Sequence, residues 1–334
     1  MYPSISIITP SYNQGNFLEE NIRSVIDQKY PNIEHIIIDG GSKDNSTEII
    51  EKYKQHFAYA ISEKDKGQSD AVNKGFEKST GEIIGWLNSD DYLAPGALEA
   101  VRIAFADPSV NVVAGYSIDF FEGSNKQIIS LPTIVKDQDL AYHLRFANIN
   151  QPATFFRRDA FASMMPVNLT LYYGMDREMW IKYLLKYGIA RAKRIEDRLV
   201  YFRYHNNSKS ISADEGVDTT YATILYHFSL FYKRPEIADL LSKRYSIIAT
   251  YLPPFEKYPD WETVLNMIRA FTIKRGALVF TKEQFDFAKK AYTAFDIKNY
   301  PFLPQEKKAM QRIQKIARCV NWTHYKVNRK LNLV

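Results

Sequence analysis

Two carboxylates stand side by side in Asn88-Ser89-Asp90-Asp91, directly after the apolar run Ile83-Ile84-Gly85-Trp86-Leu87. Adjacent carboxylates repel each other unless a cation or hydrogen-bond donors lie between them. A hard divalent ion held by oxygen atoms and shared with a phosphate relieves that repulsion. Ser and Asp are also good helix N-caps, so from these four residues alone a metal site and the start of a helix are equal readings. Three further polar clusters follow apolar runs in the same way: Pro10-Ser11-Tyr12, Asp39-Gly40-Gly41 and residues 63–70.

The elements that position these clusters follow from periodicity. Short apolar runs at residues 5–9, 34–38, 58–62 and 81–87 read as buried strands. Between them lie helical patterns: Leu18, Ile22, Val25 and Ile26; then Ile49, Ile50, Tyr53 and Phe57; then Ala71, Val72 and Phe76. Asn16 and Glu19 have the spacing of a capping box for the first helix. Such alternation predicts an α/β fold of parallel strands joined by right-handed crossovers, with ligands bound along the carboxyl ends of the strands. Every polar cluster falls on that one edge. No G-x-G-x-x-G follows the first strand, so a dinucleotide cofactor is not expected. The edge suits a nucleotide whose phosphates are handled by a metal.

Further along, the pattern predicts a helix at 95–105, a strand at 111–116 and an antiparallel meander over 117–119 and 127–131. A donor-rich segment with a buried strand follows at 148–158. A helix at 177–187 comes after Tyr173-Gly174-Met175-Asp176, and then a strand at 199–204. Beyond Ile211 the character turns helical, at 220–232, 237–251, 261–271, 282–295 and 305–320. Two regions are expected: an α/β domain over 1–210 and a helical region over 211–334 that ends in a basic amphipathic tail.

A hydrophobic content of 46% is ample for a core, and the single cysteine, Cys319, excludes an intrachain disulfide framework. No apolar run is long enough to span a membrane. The strand-like start at Ser4 leaves no room for a signal peptide, so a cytoplasmic place is expected. From Gln305 onward lie eight of the 44 basic residues and only Glu306 of the 38 acidic ones, so this tail carries more than the whole net charge of +6. That asymmetry speaks against a nucleic-acid-binding body and for an anionic surface near the tail.

Taken together, seven motifs carry a resemblance to family 2 glycosyltransferases of the GT-A fold, especially bacterial enzymes of surface polysaccharide synthesis. They are Ile7-Ile8-Thr9-Pro10-Ser11-Tyr12-Asn13, Ile38-Asp39-Gly40-Gly41-Ser42-Lys43-Asp44, Asp65-Lys66-Gly67-Gln68-Ser69-Asp70-Ala71, Gly85-Trp86-Leu87-Asn88-Ser89-Asp90-Asp91, Gln151-Pro152-Ala153, Met175-Asp176-Arg177-Glu178, and Tyr201-Phe202-Arg203-Tyr204-His205 with Ser208 and Ser210. The resemblance covers about the first 210 residues and leaves the last third unassigned.

It implies a GT-A fold with a mostly parallel central sheet and a metal-dependent, inverting hexosyl- or N-acetylhexosaminyltransferase. The donor would be a nucleotide-diphosphate sugar, with UDP as the nucleotide. The acceptor would be a hydroxyl of a glycan or of a lipid-linked glycan. Asn88-Ser89-Asp90 stands where the family has D-x-D, with Asn in place of the first Asp. Mn²⁺ or Mg²⁺ is assigned to Asp90, with Asp91 as support or second ligand and His205 as a further metal or diphosphate contact. Thr9 (through its backbone), Pro10, Tyr12 and Asp39 would hold the base. Lys66, Asp70, Asn88, Ser89, Gln151 and Arg203 would contact the sugar and phosphates. Asp176 matches the family's general base, with Glu178 as the alternative and an N-cap as the structural reading of Asp176. The basic tail could lie on anionic lipid, placing the chain peripherally on the inner face of the membrane, and a homo-oligomer is compatible with the aromatic-rich last third. Two rivals stay open: a nucleotide-sugar-binding partner subunit without turnover, and a sugar nucleotidyltransferase. The latter normally has a glycine-rich basic loop after its first strand, which Ser11-Tyr12-Asn13-Gln14-Gly15 is not.

Overall fold

The computed structural model describes residues 2–206, 208–209, 214–276 and 279–330. The expected boundary at 210/211 and Ser210 of the last motif lie outside the described residues. The chain forms two compact units, Met1–His143 with Ala147–Val217, and Leu144–Phe146 with Asp218–Val334.

The first unit holds the strands β1 (Ile5–Ser11), β2 (Ile33–Asp39), β3 (Tyr59–Ser62), β4 (Ile83–Trp86), β5 (Tyr92–Leu93), β6 (Val112–Phe121), β7 (Gln127–Ser130), β8 (Thr154–Arg157) and β9 (Ala192–Tyr204). Its helices are α1 (Gly15–Ile26), α2 (Ser46–Lys52), α3 (Gln68–Lys78), α4 (Ala97–Ala104), α6 (Arg158–Ala162) and α7 (Met175–Tyr187), while α5 (Leu140–Phe146) runs across the division between the units. The order β3-β2-β1-β4 is parallel throughout, as the alternation predicts. Ser11 pairs with Asp39 and Asp39 with Ser62, so the polar strand ends meet on one edge.

Beyond β4 the sheet also takes in antiparallel pairs. β8 runs antiparallel to β4 and to β6, β9 is parallel to β6, and β5 is antiparallel to β9. β6 and β7 form a hairpin whose turn contains Gly123 at φ +75°; a tight turn of this kind joins antiparallel neighbours only.

Ile5, Ile7, Leu98, Val101 and Phe155 share one core cluster, while Leu18, Ile22, Ile37 and Ile49 form a second between α1, α2 and β2. Ile36 and Ile38 pack on Ala71 of α3. Gly75 is required there: a Cβ would come within 2.4 Å of Ile8 Cγ2. The Asn16–Glu19 capping box does not form. Gln14 is the N-cap, and the first amides of α1 are satisfied from the neighbouring loop, Gly15 N donating to Asp44 Oδ2 at 2.8 Å and Gln14 N to Ser46 Oγ at 3.3 Å. Glu19 instead accepts from Lys52 and Tyr53.

The helices that follow are α8 (Asp214–Phe231), α9 (Pro235–Ser242), α10 (Trp261–Gly276), α11 (Lys282–Ala294), α12 (Lys307–Arg318) and α13 (Trp322–Lys330). The helix expected over 237–251 ends at Ser242; Lys243, Arg244 and Tyr245 still donate to the carbonyls of its last turn, and beyond them Ile248 N donates to Thr223 Oγ1 of α8 at 3.1 Å. α13 was not foreseen; it is anchored by buried Tyr325, stacked on Trp322 and against Phe285. The apolar stripe of α12, Met310, Ile313 and Ile316, is buried within the unit, leaving Lys307, Lys308, Lys315 and Arg318 exposed. Among the described residues no helix is long and apolar enough to cross a membrane.

Candidate active site

The ends of β1, β2 and β4 bring Thr9, Pro10, Asp39 and the Asn88–Asp91 segment to one edge. β4 ends in a buried corner. Asn88 Oδ1 accepts from Trp86 Nε1 at 2.9 Å and from Gln68 Nε2 at 2.8 Å, so strand and α3 fix one amide orientation. Gln151 joins from the turn before β8: its Nε2 donates to Trp86 O, and its Oε1 lies 3.4 Å from Asn88 Nδ2. From below, Asn21 Nδ2 of α1 donates to the carbonyls of Asn88 (2.9 Å) and Asp91 (2.8 Å). Ser89 is buried within this corner.

The two adjacent carboxylates part company here. Asp91 turns inward and is 1% exposed; its Oδ1 accepts from the backbone N–H of Arg203 at 3.0 Å, tying the corner to β9. Burial, together with the charge of Asp90, pushes its carboxyl well above the ordinary range. Of the two expected roles of Asp91, its burial and its bond to Arg203 agree with support and not with a second metal ligand. Asp90 points the other way, with Oδ2 3.1 Å from His205 Nε2. The His205 ring packs at 4.5 Å on Phe17, and its backbone N–H donates to Ser208 Oγ at 2.9 Å, so the imidazole is held in place.

Among the described residues no cluster of three or more His, Cys, Asp or Glu side chains is poised to hold a metal. The Asp90–His205 pair still fits a divalent ion on its donor chemistry. The carboxylate oxygen suits Mn²⁺ or Mg²⁺ and the imidazole nitrogen adds a donor that first-row transition ions accept, and two atoms about 3 Å apart match neighbouring ligands at about 2.1 Å from one ion. Such a two-residue set leaves the remaining positions to water and to a substrate's oxygens.

Arg203, expected to contact phosphate, is 5% exposed and committed elsewhere. It forms ion pairs with Glu20 and Glu122, donates to Asp90 O at 2.9 Å, and lies over the rings of Phe17 and Phe120. It braces the corner and has no head group left over for a ligand.

At the end of β2, Asp39 is fully buried. Its Oδ2 accepts from Ser42 N (2.9 Å), Gly41 N (3.1 Å) and Ser62 Oγ (2.6 Å), and its Oδ1 from Ser42 Oγ. Gly41 takes φ +79°, a left-handed turn that lets the chain wrap the carboxylate. Asp39 thus organises its own loop rather than presenting a carboxylate to a base. The side chain of Thr9 also faces inward, 3.1 Å from His35 Nε2. His35 is fully enclosed, and burial pushes its pKa down to about 3. Pro10 is buried in β1, whereas Tyr12 is 59% exposed at the mouth of the loop. Lys66 is exposed; its backbone N–H donates to Asp70 Oδ2 at 3.1 Å, and Asp70 also faces Lys74 at 3.5 Å.

Asp176 and Glu178 lie in the first turn of α7, capped by Gly174 at φ +66° and not by Asp176. Their positions differ. Glu178 is 0% exposed, accepts from Asn168 Nδ2 at 3.2 Å and pairs with Lys182 at 3.5 Å, so it is a core group and not a base for an incoming substrate. Asp176 is half-buried; its Oδ1 accepts from Arg177 N at 2.9 Å, and burial raises its pKa. One residue escaped the sequence reading. Lys209 Nζ lies 3.1 Å from Gln68 Oε1 and 3.4 Å from Tyr172 O, and 4.1 Å from the centre of the Tyr172 ring. It links the Asn88 corner to the segment leading into α7. Only its place in the His205–Ser208 motif could have signalled it.

Residues 6–164 match the family model described as Glycosyl transferase family 2. An uncharacterized glycosyltransferase of Haemophilus influenzae is 26% identical over 253 residues, which is 75% of this chain and 96% of that one. TuaG of Bacillus subtilis, a putative teichuronic acid biosynthesis glycosyltransferase, is 36% identical over 102 residues, 29% of this chain and 40% of TuaG. In fold, the chain is similar to residues 1–349 of S. aureus TarS, solved in complex with UDP-GlcNAc: the TM-score is 0.57 at 16% identity, covering 93% of this chain and 92% of that one. The family 2 likeness is thus that of a domain over residues 6–164, and the fold is GT-A-like.

Proposed function

We propose that the chain is an inverting glycosyltransferase that moves a hexosyl or N-acetylhexosaminyl group from a UDP-sugar to a hydroxyl of a glycan or lipid-linked acceptor, in surface polysaccharide synthesis. The observation that carries this reading is the Asp90–His205 pair at the end of β4, 3.1 Å apart and set in the buried Asn88 corner. The TuaG likeness supports the setting, and the UDP-GlcNAc complex of TarS supports the choice of donor.

In this reading Asp90 and His205 would hold Mn²⁺ or Mg²⁺, which when bound neutralises charge on the departing diphosphate. Asn88 and Gln151, locked by Trp86 and Gln68, offer amide groups to the sugar. Asp176 takes the proton of the acceptor hydroxyl as it attacks the anomeric carbon from the face opposite the diphosphate. Burial that raises its pKa makes it a stronger base once ionised. Tyr12, exposed beside the end of β1, gives a base or acceptor ring a surface to stack on.

The tail's contact with anionic lipid takes an electrostatic form, because the apolar stripe of α12 is already used within its own unit. Lys307, Lys308, Lys315, Arg318, Lys326 and Lys330 form the exposed basic set. Sedimentation with phosphatidylglycerol vesicles should fall steeply with salt and disappear when these lysines become glutamine; salt-independent sedimentation would contradict it.

The direct test of function is UDP release from a panel of UDP-sugars, with and without a glycan acceptor. Release from one donor that rises with acceptor supports the reading. Nucleotide binding without release from any donor would move the non-catalytic partner subunit to the front, and pyrophosphate formation would favour the nucleotidyltransferase.

A further inference from the structure

With Arg203 braced by Glu20 and Glu122, its guanidinium is committed to the fold rather than to a donor's diphosphate. Lys74 pairs with Glu63 at 2.8 Å, and the exposed Lys66 lies on the loop that precedes α3. We propose that Lys209 binds the donor's diphosphate, holding its β-phosphate between the Asn88 corner and the segment that leads into α7. This inference rests on the glycosyltransferase reading above.

The argument is geometric. The Lys209 ammonium reaches Gln68 Oε1, and the same Gln68 amide donates to Asn88 Oδ1, so the cation stands one side chain away from the residue that opens Asn88-Ser89-Asp90. On its other side it reaches Tyr172 O, four residues before Asp176. Its position is set from β9: Ser208 Oγ accepts from His205 N at 2.9 Å and lies 3.3 Å from Arg203 O, which fixes the residue immediately before the lysine. Gln68 Oε1 and Tyr172 O are neutral acceptors, and ammonium contacts to a diphosphate are stronger than contacts to amide oxygens. Burial already disfavours the charged lysine, while Asp65 and Asp90 act from a distance to keep it charged. An arriving diphosphate adds the negative charge that best repays that desolvation. As the glycosidic bond breaks, the leaving diphosphate gains a further charge, and a cation fixed beforehand stabilises it without reorganisation.

The test is calorimetric binding of UDP and UMP, in Mn²⁺ buffer, to the full chain and to Lys209→Met and Lys209→Arg. The expected result is that Lys209→Met loses about ten- to a hundred-fold in UDP affinity while UMP affinity stays within about two-fold, and that Lys209→Arg recovers most of the loss. Circular dichroism melting checks that both variants are folded; if Lys209→Met unfolds, the Arg variant and Lys209→Gln carry the comparison. Equal UDP affinity in a folded Met variant, or equal losses for UDP and UMP, would overturn the assignment of Lys209 while leaving the glycosyltransferase reading intact. Failure of the wild-type chain to bind either nucleotide would overturn both.

Discussion

Two carboxylates stand at strand ends on one edge of the same sheet, and the fold uses them in opposite ways. Asp39, after β2, is wrapped by its own turn and accepts from the donors of Gly41, Ser42 and Ser62. Asp90, after β4, sits on a corner held by everything except its own carboxylate: Asn21, Gln68, Trp86 and Gln151 fix Asn88, and Asp91 and Arg203 close the corner behind it. One carboxylate builds its loop; the other is built around. A ligand-binding group is recognised by support given to its neighbours and a head group aimed outward, and only Asp90 of these two has that arrangement.

The largest effect should come from Asp176, the general base of the proposed reaction. Asp176→Asn should lower kcat by about 10²–10⁴-fold with UDP affinity unchanged, measured by steady-state UDP release. An equal loss in Glu178→Gln with no loss of stability would break the distinction drawn between the two α7 carboxylates. Next in size is the structural carboxylate. Asp39→Ala leaves several loop donors buried without an acceptor and should destabilise the first unit by at least about 1–3 kcal/mol, read by urea unfolding. If Asp39→Ala instead keeps its stability and loses only nucleotide binding, the contrast with Asp90 collapses.

The pH profile sharpens the same contrast. Burial raises the pKa of Asp176 above its ordinary 3.8, and the base must be ionised, so kcat/KM should fall as pH drops through the raised value. Asp176→Asn should abolish that limb. For stability the sign is reversed: the native fold favours the protonated acid, so the contribution of Asp176 is full below 3.8 and is lost as pH rises through the folded value. A further effect, read only over the narrow window from pH 7 to pH 5, is expected from His35. Its pKa falls from 6.5 to about 3 on burial, so its contribution is full above 6.5 and is lost as pH falls towards about 3, at no more than about 1.4 kcal/mol per pH unit. His35→Leu should flatten the difference in unfolding free energy between pH 7 and pH 5. A slope unchanged in that variant would assign the acid sensitivity elsewhere.

The four parallel strands were legible because buried parallel strands are continuous apolar runs, and the polar residues that end them stand out. The edge was legible for the same reason. The division of labour upon it was not. Whether Asp90 or Asp91 faces outward is decided by the backbone N–H of Arg203, 112 positions away in the chain; no local pattern encodes that contact. Arg203 looked like a phosphate ligand because Glu20 and Glu122 are distant in sequence, and Lys209 was overlooked because its partners Gln68 and Tyr172 are equally distant. In the helical unit, the stripe of α12 was visible from its spacing, yet periodicity reports only that a face is apolar and not whether protein or lipid covers it. Beyond the missed end of α9, the amide of Ile248 donates to Thr223 of α8, another contact that local periodicity does not report.

The central claim is that Asp90 serves a ligand while its neighbours serve the fold. It is tested most directly by the melting temperature of the wild-type chain and of Asp90→Ala, each with saturating UDP, with and without Mn²⁺. A ligand at a hundred-fold excess over Kd adds about 2.7 kcal/mol to the native state. The wild-type chain should therefore melt several degrees higher with UDP and Mn²⁺ together, and Asp90→Ala should melt near the unliganded wild type with that response gone. An Asp90→Ala protein that is itself strongly destabilised, or that responds to UDP and Mn²⁺ as the wild type does, would contradict the claim.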